Sequence, residues 1–172
     1  IGGILAPMGL AAGPVAPTRE WRELFAAFDC AAVAAIHPFY TASIREFEAA
    51  GRKVVGSAPV GYEGTAGWIE AIGIACGVSA EERAAAQNAI LPAIRGALSQ
   101  KPIKGRITVS GYEGSELLVA RLLIESGADM DALFMHLASH GRLPPMARLV
   151  VAPFALHAHI LARIETVGRA AA

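Results

Sequence analysis

Lys53-Val54-Val55-Gly56-Ser57-Ala58-Pro59-Val60-Gly61-Tyr62-Glu63-Gly64-Thr65 sets the expected architecture of this chain. Its first five residues predict a short strand, Lys53 to Ser57, and the residues from Thr65 to Cys76 predict a helix stopped by Gly77. Between them lies a glycine-bearing turn. The tetrad Gly61-Tyr62-Glu63-Gly64 recurs as Gly111-Tyr112-Glu113-Gly114, between an expected strand at Gly105 to Ser110 and an expected helix at Ser115 to Ser126, closed by Gly127. Glycine in such a turn lets backbone come close to a ligand, and the helix N-terminus behind it favours negative charge. In open parallel sheets, ligands collect at these strand C-terminal ends. The plainer reading is that both tetrads only make tight strand-to-helix turns. Neither is a G-x-G-x-x-G or a G-x-x-x-x-G-K-[ST], so dinucleotide and P-loop readings have little support.

The same alternation extends to both sides. Ala12 to Val15 reads as a short strand, and Thr18 as the N-cap of a helix from Arg19 to about Asp29, with Glu20 in its first turn. Ala31 to Ile36 is uncharged, as expected of a strand buried on both faces. Thr41 to Ala50 reads as a helix with Gly51 at its stop. Ser79-Ala80-Glu81-Glu82 fits a capping box opening a helix that runs to Gln100, kinked or broken near Leu91 by Pro92. Strands separated by helices at this spacing predict an α/β fold, a Rossmann-like parallel sheet with helices on both faces. The alternation fails after Asp129, where Met130 to Ala138 reads as helical or ambiguous and Ala, Arg, Pro and His accumulate. A frameshift in a GC-rich gene would produce such a run.

Composition narrows the function classes. With 15 basic and 15 acidic residues there is no charge excess to attract phosphate backbones, which argues against nucleic acid as a partner. Ile1 to Thr18 is uncharged but holds four glycines and three prolines, which disfavours a spanning helix. No basic region precedes an apolar stretch, so a signal peptide is not expected and a cytoplasmic location is. The chain starts at Ile1, inside an apolar stretch, which suggests a piece of something longer.

Larger stretches carry a resemblance. Ala58 to Thr65 followed by Trp68-Ile69 resembles the P-x-G-x-x-G-T turn and helix of nitrogenase component 1-type oxidoreductases. Gly105 to Gly111 running into Glu116 to Leu123 looks like the start of a later lobe in that family, and Gly13 to Leu24 and Ile36 to Phe47 are similar to its chlorin-reducing branch. The likeness covers residues 1 to about 129. It implies a middle lobe at 1–104, incomplete at its N-terminus, the start of a second lobe at 105–129, and an atypical tail at 130–172. The implied function is part of the catalytic component of an ATP-dependent reductase acting on a ring double bond of chlorophyllide a, on the way to bacteriochlorophyll. The implied partners are a subunit Z-like protein and a separate ATP-hydrolysing iron–sulfur reductase. The implied [4Fe–4S] cluster has its ligands in a more N-terminal lobe, so no metal role falls on this chain and the piece alone is expected to be inactive. Pro59, Gly61, Gly64 and Thr65 become candidate substrate-side residues, through their backbone rather than their side chains.

The remaining chemistry-bearing residues read blandly. Cys30 and Cys76 form no CxxC pair and are expected to be buried thiols. His136 and His140 have the spacing of a zinc pair on a helix, but no Glu follows His136, and His157 and His159 lie two apart in the same tail. His37, in His37-Pro38-Phe39-Tyr40 after an expected strand, is a weak candidate proton donor; such a histidine more often bonds backbone. Two alternatives stand beside the reductase reading. One is another nitrogenase-like reductase, such as the dark-operative protochlorophyllide enzyme. The other is a noncatalytic α/β binding module.

Overall fold

A computed structural model of the chain describes residues 1–36, 41–56, 58–111 and 115–135. It divides into two units, Ile1–Ile94 and a second from Arg95 onward.

The first unit opens with a helical turn, α1 (Gly2–Leu5), extended by a 3₁₀ turn at Ala6–Met8. Residues 10–20 form no regular element. The strand expected at Ala12 to Val15 is absent, because Pro14 and Pro17 cannot donate to a ladder. Helix α2 (Trp21–Ala26) starts two residues later than expected and ends in a 3₁₀ turn at Ala27–Asp29. Glu23 in its first turn accepts the Arg19 backbone N–H at 3.2 Å. Phe28 stacks on Phe47 of α3 (Thr41–Ala49) with ring centroids 4.8 Å apart, an aromatic contact between the two helical segments. The strands β1 (Val33–Ala35) and β2 (Val54–Gly56) pair in parallel, Val33 with Val54, Ala34 with Val55 and Ala35 with Gly56. Helices α4 (Gly61–Cys76) and α5 (Ala80–Gln100) follow, and α5 runs through Pro92 without a break. Leu5, Met8, Val55, Trp68, Ile69, Ile72 and Ala86 form the buried cluster, so the leading turn, β2, α4 and α5 share one core.

Local chemistry explains the helix ends. At Gly77 the Val78 N–H reaches the Gly73 carbonyl at 2.8 Å and the Gly77 N–H reaches Ile74 at 3.1 Å, the two bonds of a Schellman cap. The same pair of bonds closes α3 at Gly51 and α6 at Gly127, all three glycines having positive φ. The capping box at the start of α5 is formed as expected: Ser79 Oγ accepts the Glu82 N–H, and the Glu82 carboxylate accepts the Ser79 N–H at 3.0 Å. Arg83 of α5 grips Glu70 of α4 with two bonds, Nε to Oε2 and Nη2 to Oε1, each 3.1 Å. Gly73 leaves space for the Arg83 stem; a Cβ there would lie 2.7 Å from Arg83 Cγ.

In the second unit, β3 (Arg106–Gly111), α6 (Ser115–Glu125) and β4 (Asp129–Met135) form a strand–helix–strand unit with parallel pairing and one irregularity between Ile107 and Thr108. The Ile103 N–H donates to the Ser126 carbonyl at 2.8 Å and fastens the segment before β3 to the end of α6. Met130 to Met135, expected to be helical or ambiguous, is a strand. It has no β-branched residue, and pairing with β3 supplies what local propensity does not.

These observations correct the expected fold class. Helices hold most of the described residues, and the strands form two separate two-stranded parallel ladders, not an extended Rossmann-like sheet covered by helices on both faces. One physical reason lies in the strands themselves. Ala31 to Ile36 is mainly alanine, a poor strand former, and only three of its residues enter a ladder.

Candidate functional site

The tetrad at Gly61 is built from the end of β2 upward. Beyond Gly56 the chain makes a tight turn in which the Val60 N–H donates to the Ala58 carbonyl at 2.9 Å. Val60 is extended (φ −114°, ψ 131°) and serves as N-cap, and the next residue, Gly61, has φ 71°. An L side chain pays a penalty at that φ, so glycine suits the junction. The helix begins at Gly61, four residues before the expected Thr65, so Gly61-Tyr62-Glu63-Gly64 is the first turn of α4. Glu63 lies in that turn, where a carboxylate complements the helix dipole.

Gly61, Gly64 and Thr65 are buried and Pro59 is half-buried. Thr65 is only 1% exposed, and its hydroxyl donates to the Gly61 carbonyl at 2.6 Å. Its side chain is therefore committed to holding the junction. In the second copy, Gly111 is the last residue of β3, paired with Met135, and α6 opens at Ser115. Tyr112, Glu113 and Gly114 lie outside the described residues, as do His37, His136, His140, His157 and His159.

Both cysteines are free thiols and half-buried, less enclosed than the sequence suggested. Cys30 Sγ lies 3.7 Å from the Ala26 carbonyl. Burial pushes the Cys76 thiol above its ordinary range, the Lys53 ammonium opposes this, and Cys30 adds a smaller upward push. Lys53 Nζ donates to the Ala75 carbonyl at 2.9 Å, placing a cation at the C-terminal end of α4, where the helix dipole favours it. Among the described residues no three His, Cys, Asp or Glu side chains gather as a metal site. A [4Fe–4S] cluster takes four cysteine thiolates. The two cysteines of this chain do not supply that set.

Sequence reasoning missed a cavity of about 440 Å³ in the first unit, walled by the segment after α1, by β1, and by Trp68, Ile72 and Cys76 of α4. The only advance signal was the uncharged, glycine- and proline-rich run up to Thr18.

A strand-to-helix junction opened by a positive-φ glycine and closed by a buried threonine thus stands on the P-x-G-x-x-G-T residues. The chain belongs to the nitrogenase component 1 type oxidoreductase family, whose profile matches residues 1–149 and so continues past the composition shift at Asp129. Within this class, it is 72% identical over 130 residues to the chlorophyllide reductase 52.5 kDa chain of Cereibacter sphaeroides and 71% identical over 130 residues to that of Rhodobacter capsulatus. Each match covers 76% of this chain and 26% of the relative, so the chain spans about a quarter of the length of the curated relatives it matches. No solved structure matches it. Among the described residues, no helix is long and apolar enough to cross a membrane.

Proposed function

We propose that this chain supplies part of the catalytic component of an ATP-dependent, iron–sulfur chlorophyllide a reductase, which reduces a chlorin ring double bond on the way to bacteriochlorophyll. The observation that carries the reading is 72% identity over 130 residues to a chlorophyllide reductase chain. Identity at that level over most of the chain favours a shared role over a noncatalytic module. The electron-carrying cluster then sits outside this chain, on a complex formed with a subunit Z-like partner and fed by an ATP-hydrolysing iron–sulfur component. This chain's own contribution is scaffold and one wall of the substrate space. Pro59, Gly61, Gly64 and Thr65 form the substrate-side turn, acting through backbone that the Thr65 hydroxyl holds in place. Residues 1–104 and 105–129 belong to successive lobes of the subunit, and β4 (Asp129–Met135), paired with β3, continues the second of them.

The test is an exchange. The matching segment of the Cereibacter sphaeroides chlorophyllide reductase 52.5 kDa chain is replaced by the matched 130 residues of this chain, and the chimaera is combined with its partners. The expected result is ATP-dependent loss of the chlorophyllide a absorption band at a rate near that of the parent. A chimaera that assembles with its partners yet leaves the spectrum unchanged would overturn the reading.

A further inference from the structure

The two cysteines are far apart in sequence, yet the fold of the first unit brings both to one end of the same ladder. Cys30 directly follows the 3₁₀ turn at Ala27–Asp29 and leads into β1. Cys76 is the last residue of α4. Lys53, the residue before β2, joins their neighbourhoods. Its carbonyl accepts the Val33 N–H at 2.8 Å, and its Nζ donates to the Ala75 carbonyl at 2.9 Å. Because β1 and β2 run in parallel with Val33 beside Val54, the residues before Val33 and the end of α4 meet at the N-terminal end of that ladder. Both thiols are free and half-buried, and both line the cavity of the first unit. Charge on Cys30 is felt at Cys76, where it adds to the upward push of burial while the Lys53 ammonium opposes it. At Gly13 a Cβ would lie 2.6 Å from Cys30 Sγ, so the segment after α1 passes close against that sulfur.

We infer that Cys30 and Cys76 are a thiol pair that small disulfides of the glutathione class convert into an intrachain disulfide. In the first step the thiolate of one cysteine attacks a sulfur of the small disulfide. That S–S bond breaks, a mixed disulfide forms on the protein, and the small thiolate that leaves takes up the proton the cysteine gave up. In the second step the thiolate of the other cysteine attacks the protein sulfur of the mixed disulfide, closing the Cys30–Cys76 bond and releasing a second small thiol. The protein dithiol loses two electrons, and the small disulfide is reduced to two thiols. The bond would tie the approach to β1 to the end of α4 and, through the contact at Gly13, constrain the segment after α1. The inference does not rest on the reductase reading, because neither sulfur belongs to the substrate-side turn.

The test equilibrates the full 172-residue chain with a buffer of oxidised and reduced glutathione, quenches with acid, and reads intact and peptide masses. The expected product has lost the mass of two hydrogens, carries no glutathione, and yields a joined peptide containing Cys30 and Cys76. Excess dithiothreitol should restore the starting mass. Repeating the equilibration in urea should lower the joined share severalfold in favour of glutathione adducts, because the unfolded chain no longer holds the sulfurs at one end of the ladder. Glutathione adducts on both sulfurs without a joined product would overturn the inference, as would links formed only between chains. Two thiols that both stay free in excess oxidised glutathione also overturn it. Equal joined shares in native buffer and in urea do the same, since the pairing would then owe nothing to the fold.

Discussion

Thr65→Val tests whether the junction at Gly61 is held by one hydroxyl. Valine matches threonine closely in shape and has a similar helix propensity, so the substitution removes the hydrogen bond while leaving packing and local preference nearly unchanged. The bond is short (2.6 Å) and the side chain is 1% exposed, so water cannot replace the lost donor. A typical net hydrogen bond is worth about 1 kcal/mol, and the Gly61 carbonyl keeps the backbone bond of the first helical turn, so the expected loss is about 0.5–1.5 kcal/mol. With a urea slope of roughly 2 kcal/mol per molar, the unfolding midpoint followed by far-UV circular dichroism should fall by about 0.3–0.8 M. Thr65→Ser provides the complementary measurement. It keeps the hydroxyl and deletes one buried methyl, a loss of about 1 kcal/mol. Thr65→Ala removes both, and its cost should approach the sum of the other two. A valine variant as stable as the parent would refute the claim that this hydroxyl secures the turn.

The other expectations follow from burial and charge. Ile69→Ala, at a fully enclosed position, should cost about 2–5 kcal/mol in a thermal or urea melt, whereas Ile74→Ala on the exposed face of the same helix should stay within about 0.5 kcal/mol. Ser79→Ala should destabilise α5 by about 1 kcal/mol through loss of its cap. Glu82 is held below the usual glutamate range by hydrogen bonds from the Ser79 hydroxyl and backbone N–H. A depressed folded value contributes stability above the unfolded value and loses it as pH falls through the folded one. Ser79→Ala should therefore flatten the acid limb of a plot of urea midpoint against pH. Cys76, pushed up by burial, should alkylate with iodoacetamide more slowly than a free thiol at mildly alkaline pH, and Lys53→Met should slow it severalfold further. Peptide mass spectrometry after timed quenching reads both rates.

What was legible in the sequence were features decided within a few residues. Gly51, Gly77 and Gly127 read as helix stops because a left-handed residue is needed there, and all three occupy that position. The Ser79–Glu82 box was legible for the same reason, being closed by atoms three residues apart. The sheet was not, since strand formation depends on partners distant in sequence. Ala31 to Ile36 and Met130 to Met135 show the two directions of error: an uncharged run that pairs over only three residues, and an ambiguous run that pairs along its length. The cavity was illegible for a related reason. It is a space between segments, bounded by a run that local patterning reads as a strand at Ala12 to Val15 and that forms no element.

The repeated tetrad makes the same point within the candidate site itself. Gly61 and Gly111 begin identical four-residue sequences, yet Gly61 is the first residue of a helix with φ 71°, and Gly111 is the last residue of a strand, paired with Met135. The tetrad therefore does not by itself fix the element to which its first glycine belongs. What differs is the neighbourhood: after Gly64 comes Thr65, whose hydroxyl folds back onto the Gly61 carbonyl, and after Gly114 comes Ser115, at the same offset from Gly111. Strand β3 reaches as far as its first glycine because β4 offers a partner opposite it, whereas β2 ends at Gly56 opposite Ala35, the last residue of β1. The extent of the neighbouring strand, more than the glycines, determines where each ladder stops. A ligand-facing role drawn from the tetrad alone would assign the same function to both copies. The proposed ligand-facing role is placed on the first copy, where the buried Thr65 hydroxyl meets the Gly61 carbonyl.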